Sequence, residues 1–169
     1  MNKLLILLLA GFIAFFTVSC SEDDDSGTDS NNDTKAWVGN WLSEGSNVAV
    51  LLSGTFSIDS IYVEMKDDGT IALDQHVAGV GWSSNSGTYS VTESSSGTIH
   101  TIAISYSSPA FDQEGIIEIT DGTPDMMQLE VVQTNPTIGA VPPTVSGGFG
   151  STNAGALGTI NVQKYVRVD

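Results

Sequence analysis

From residue 36 onward the chain is built of short runs in which apolar and polar side chains alternate, each closed by a turn-forming cluster. A period of two marks strands with one face in a core. Residues 58–66 place Ile61, Val63 and Met65 on one face and Tyr62, Glu64 and Lys66 on the other. Asp67-Asp68-Gly69 predicts a hairpin turn, where glycine supplies positive φ, and residues 70–77 return. Residues 87–93 alternate Thr88, Ser90 and Thr92 with Tyr89 and Val91, and 98–106 put His100, Ile102, Ile104 and Tyr106 on one side. Residues 115–120 follow. The turn at 121–124 leads into 126–133, where Met127, Leu129 and Val131 align. Residues 159–168 align Ile160, Val162, Val166 and Val168. With 36–43, which carry Trp37 and Trp41, this makes eight predicted strands, most of them joined by hairpins. An antiparallel meander of that size closes into a barrel and so removes its exposed edges. The predicted fold class is therefore all-β: a roughly eight-stranded, closed antiparallel meander.

Two stretches interrupt the alternation. Residues 44–56 contain the apolar run Val48-Ala49-Val50-Leu51-Leu52, which fits either a short helix capping the barrel or an extra strand; the helix is favoured. Residues 134–158 hold Pro136, Pro142, Pro143 and six glycines, and no charge occurs between Glu130 and Lys164. So long a segment without regular structure is unusual inside a compact domain. Its Ile138, Val141, Val145, Phe149 and Leu157 predict that it packs against something, as a lid over the barrel mouth or as an arm that docks on a partner.

The other end of the chain has a different grammar. Residues 4–18 are fifteen residues with Thr17 as the single polar one, preceded by Lys3. As a helix they would reach about 22 Å, short of the roughly 30 Å hydrocarbon core of a bilayer, which fits a signal peptide rather than a permanent span. Thr17-Val18-Ser19-Cys20 resembles the lipobox of bacterial lipoproteins, which implies cleavage before Cys20 and acylation of that residue. The run Ser21, Glu22, Asp23, Asp24, Asp25 resembles the export signal that sends lipoproteins of Bacteroidota to the outer face of the outer membrane. The expected organisation is a signal peptide over 1–19, an acidic flexible tether over 20–35 and one domain over 36–169. The expected location is the outer membrane, lipid-anchored and cell-surface exposed, with the periplasmic face as the alternative.

Charge and composition narrow the function. Residues 36–169 carry fourteen acidic side chains against Lys66, Lys164 and Arg167, a net of −11. That balance argues against nucleic acid and against docking on anionic lipid, both of which call for basic patches. Cys20 is the single cysteine, so no intramolecular disulfide can form. No catalytic residues are assigned: no serine lies in a Gly-x-Ser-x-Gly elbow, and only His76 and His100 offer a base. His100 shares a face with Ile102 and Ile104 and reads as a core or rim histidine. No metal site or cofactor is assigned either. The aspartates at 67–68 and at 121 and 125 carry oxygen ligands of the kind calcium uses, but they stand where tight turns place them.

The segment Ala36-Trp37-Val38-Gly39-Asn40-Trp41 opens the first strand, and its Gly39-x-Trp41 at the head of an eight-strand meander resembles the lipocalin family and the lipocalin-like lipoproteins of Bacteroidota. The resemblance implies that Trp41 plugs the closed end of the barrel and that a basic residue of the last strand packs across it. Arg167 is the matching position, with Lys164 second. An eight-strand barrel can enclose one small ligand, and the aligned faces make Ile102, Ile104, Tyr106, Met127 and Leu129 the candidate ligand-lining residues. The expected partner is a small apolar or amphipathic molecule. The alternative is a cell-surface interaction module with a packed barrel that contacts a protein or an envelope polymer.

Overall fold

The computed structural model of the chain describes residues 34–168. Eight strands run in chain order around a closed antiparallel barrel: β1 (Gly39–Glu44), β2 (Ile58–Met65), β3 (Thr70–Val77), β4 (Gly81–Thr92), β5 (Ile99–Ser107), β6 (Ala110–Thr120), β7 (Met126–Asn135) and β8 (Gln163–Arg167). Each strand pairs with its neighbour in sequence, and β8 pairs with β1 through Trp41↔Arg167 and Leu42↔Val166. This is the predicted fold class. Closure gives each of these strands a neighbour on both sides.

The interior cluster is built from Trp41, Ile61, Val63, Met65, Ile71, Ile102, Ile104, Tyr106, Ile117, Met127, Leu129 and Tyr165, all buried. Between β1 and β2 a short helix, α1 (Val50–Phe56), lies at the mouth end and turns Leu52 towards the interior. It ends at Ser57, whose φ of 56° is a left-handed cap. The helix favoured for the apolar run within residues 44–56 is thus present, over Val50–Phe56.

Strand lengths differ from the expectation at β4 and β6. The first begins at Gly81 and the second at Ala110, several residues earlier than the alternation showed. The extra residues, Gly81-Trp82-Ser83-Ser84-Asn85-Ser86, are mostly polar because this rim is wet on both faces. In β8 the expected face is inverted. Gln163 and Tyr165 are the buried residues, whereas Val166 is only half-buried and sits outside. Val162 and Lys164 share an outer groove with Val48 and Phe149, so the apolar residues of this strand pack against the outside of the barrel.

The uncharged segment after β7 is neither lid nor free arm. Its Val141, Pro142, Pro143 and Val145 lie over Thr101, Glu114 and Gly115, on the outer surface of β5 and β6. Glu130 holds it there. This residue points outward from β7 yet is fully buried, because the backbone N–H groups of Gly150 and Thr152 and the Thr152 hydroxyl all donate to its carboxylate, at 2.6, 3.2 and 2.5 Å. A buried carboxylate needs such partners. Ile116 and Val132 also lie outside the interior cluster and are buried on this same patch of wall. The barrel therefore has a second, smaller core on its outer face.

Candidate ligand-binding site

The two ends of the barrel differ. At one end the chain enters β1 and leaves β8. Trp41 is fully buried there, its indole N–H donates to the Trp37 carbonyl at 2.9 Å, and the Arg167 guanidinium lies 4.3 Å from its ring centroid. That guanidinium is itself held in place. Nε donates to Asp125 Oδ2 at 2.9 Å, Nη1 to the Val38 carbonyl at 2.8 Å and Nη2 to the Ala36 carbonyl at 2.5 Å. Gly39 adopts φ of 142°, and an added Cβ would sit 2.2 Å from Arg167 Nη1. Gly39, Trp41 and Arg167 are thus brought together as one plug, while Lys164 lies on the outside. His100 stands near this plug, edge-on to Trp37 at 5.8 Å, with Nδ1 accepting the Ser94 N–H.

Towards the other end the interior opens into a cavity of about 310 Å³. The five candidate residues Ile102, Ile104, Tyr106, Met127 and Leu129 all line it, together with Ile61, Val63, Met65 and Ile71 from β2 and β3. Leu52 of α1 closes over it from the mouth side. The volume falls at the lower end of the roughly 300–1,000 Å³ typical of small-molecule sites, and the apolar lining with a few polar groups matches their usual chemistry. On the rim outside, Phe56, Val80 and Trp82 are exposed.

Several lining residues were not singled out from the sequence. Gln75, Asn85, Gln113, Asn161 and Gln163 reach the cavity, and so does Tyr165. Polar residues on an otherwise apolar face carry no signal by periodicity, and Tyr165 was masked by the inverted face of β8. Gln163 is structural: its Oε1 accepts the Ala49 N–H at 2.8 Å and its Nε2 donates to the Ser43 hydroxyl, which ties β8 to β1 and to the start of α1. Asn161 donates to the Val131 carbonyl at 3.2 Å. Burial pushes the phenols of Tyr106 and Tyr165 well above the ordinary tyrosine value, and each stays neutral in this site.

The acidic turns are occupied by their own backbones. Asp68 Oδ1 accepts both the N–H and the hydroxyl of Thr70, at 2.9 and 2.7 Å, and these bonds hold its carboxyl below the usual range. Asp125 Oδ1 accepts the Gly122 N–H at 2.9 Å. Among the described residues no group of three or more His, Cys, Asp or Glu side chains is placed to share a metal ion. Cys20 and residues 21–25 lie outside the described residues.

The fold and the cavity define an up-and-down antiparallel β-barrel with one plugged end and an apolar lumen, an architecture compatible with ligand binding. Compared with known proteins, the chain matches no family model, no curated protein and no solved structure.

Proposed function

We propose that this protein is a non-catalytic, membrane-anchored lipoprotein that holds one small apolar or amphipathic molecule inside its barrel. The observation that carries the reading is the cavity of about 310 Å³ lined by Ile102, Ile104, Tyr106, Met127 and Leu129. A barrel serving only as a scaffold for surface contacts has no need of such a space, since interiors otherwise close-pack. The anchor is Cys20, acylated after cleavage of the leader, and the acidic run from Ser21 to Asp25 directs the chain to the outer face of the outer membrane in the manner of the lipocalin-like lipoproteins of Bacteroidota.

The interaction module remains the second reading, and the exposed Phe56, Val80 and Trp82 at the mouth favour it. One experiment separates the two. An uncharged apolar dye such as Nile red should gain fluorescence on binding the protein, and Val131→Phe, which narrows the cavity from β7, should abolish that gain while the circular dichroism spectrum stays that of the parent. A dye signal unaffected by Val131→Phe, or no signal at all, leaves the packed interaction module as the better reading.

A further inference from the structure

The lumen contains polar groups that the protein itself does not use. Among the described residues, the side chains of Gln75, Asn85 and Gln113 make no hydrogen bond, and neither do the hydroxyls of Tyr106 and Tyr165. The tyrosines are the sharper case, being only 4% and 2% exposed. Every fully enclosed side-chain nitrogen or oxygen in the described residues has a partner, so these two hydroxyls retain access to open space; the cavity is the space both residues line, and Tyr106 also borders an outer hollow beside Gly87. Their proximity to each other is visible electrostatically, since ionising Tyr106 would push the Tyr165 phenol up further.

Equally telling is what is missing. Among the described residues, none that lines the cavity is Asp, Glu, Lys, Arg or His. A carboxylate or ammonium group carried inside would lose its hydration with no counter-charge, and unpaired charge is costly to bury. The acidic wall outside adds repulsion against anions. An uncharged hydrogen-bonding group meets the opposite situation. A carboxamide offers both a carbonyl acceptor and NH₂ donors, and a phenol offers a donor and an acceptor.

Resting on the reading that the lumen holds an amphipathic molecule, we propose that its ligand carries an uncharged polar group, a hydroxyl or carboxamide, and that Tyr106, Tyr165, Gln75, Asn85 and Gln113 recognise that group against carboxylates and ammonium ions. The apolar remainder of the ligand contacts Ile61, Ile102 and Met127. A site built to hydrogen-bond discriminates strongly against analogues that leave its groups unpaired.

The test is a head-group series on the full chain: decanamide, 1-decanol, decanoate and decyltrimethylammonium at pH 8, each competing with Nile red below its micelle concentration. Decanamide and decanol should displace the dye at concentrations at least about tenfold lower than the two ions, a gap that corresponds to about 1.4 kcal/mol. Tyr165→Phe then removes one hydroxyl that has no protein partner. It should leave the melting temperature unchanged and weaken decanamide about fivefold, as the loss of one net hydrogen bond does. Decanoate or the ammonium compound binding as tightly as decanamide overturns the neutral-head inference but leaves the lumen as a binding site. A head-group preference that survives both Tyr165→Phe and Gln113→Leu overturns the assignment to these residues. Nile red failing to bind at all removes the underlying reading instead.

Discussion

At Gly39 the backbone takes φ of 142° and an added Cβ would sit 2.2 Å from Arg167 Nη1. Gly39→Ala must therefore strain the backbone and displace the guanidinium from the Ala36 and Val38 carbonyls, and a loss of about 2 kcal/mol in urea unfolding is expected. Trp41→Ala empties the plug itself and should cost about 3–5 kcal/mol by the same measurement; a loss under about 1 kcal/mol would mean the residue is not the core plug described. The two buried phenols give a pH signature. Folding raises the values of Tyr106 and Tyr165 above the ordinary 10.0. Their contribution to stability is thus complete below pH 10, and it is lost as pH rises beyond it, because the unfolded chain releases these protons first. In an alkaline titration Tyr106 and Tyr165 should ionise only together with unfolding, visible as tyrosinate absorbance that coincides with loss of the β-sheet dichroism. Tyr106→Phe should take its share of that alkaline transition away.

Period two identified all eight strands, because one face of each meets a common interior and the turns between them carry glycine, aspartate or serine. The plug residues came instead from the resemblance carried by Gly39-x-Trp41, and the alternation found the apolar half of the lumen. It missed the polar half, since Gln75, Asn85 and Gln113 interrupt apolar faces in the way that a strand end would. It also inverted β8, where Val162 packs outward against a groove shared with Phe149 and the odd positions Gln163 and Tyr165 turn inward. That inversion has the same origin as the misplaced loop. The segment after β7 covers the outer wall, so apolar residues there are buried on the outside, and burial no longer tells inside from outside. Its attachment is specific. Asn153 and Val141 brace the segment through N–H bonds at 2.7 and 3.1 Å, and Glu130 accepts three donors from Gly150 and Thr152. Glu130→Ala would leave those donors without their acceptor and should lower stability by about 3 kcal/mol. Deleting residues 137–158 should do more damage than a deletion in a solvated loop, because it uncovers Ile116 and Val132. Increased binding of an exposed-hydrophobe dye and a lower melting temperature are the expected readouts, and an unchanged melting temperature would count against the outer core.

On the scale of the whole molecule, the proposed outer-membrane location sets a charge problem for a chain with a formal net charge of −15. Protein charge gives it no attraction to an anionic surface, so in that proposal attachment rests on hydrophobic burial of lipid. Each buried CH₂ contributes about 0.8 kcal/mol, and stable anchoring takes more than one acyl chain or a second signal. In our reading Cys20 supplies the attachment point and the acidic stretch 21–33, with no large apolar side chain in it, serves as the tether. The interior cluster and the plug of the described barrel are built from residues between Ala36 and Arg167. Anchoring and folding should consequently be separable. Cys20→Ala is expected to move the protein from the membrane to the soluble fraction of the cell envelope, while its melting temperature and its Nile red affinity remain those of the parent. If the variant still partitions into membranes, the anchor lies elsewhere, and the exposed Phe56, Val80 and Trp82 at the barrel mouth become the next positions to replace.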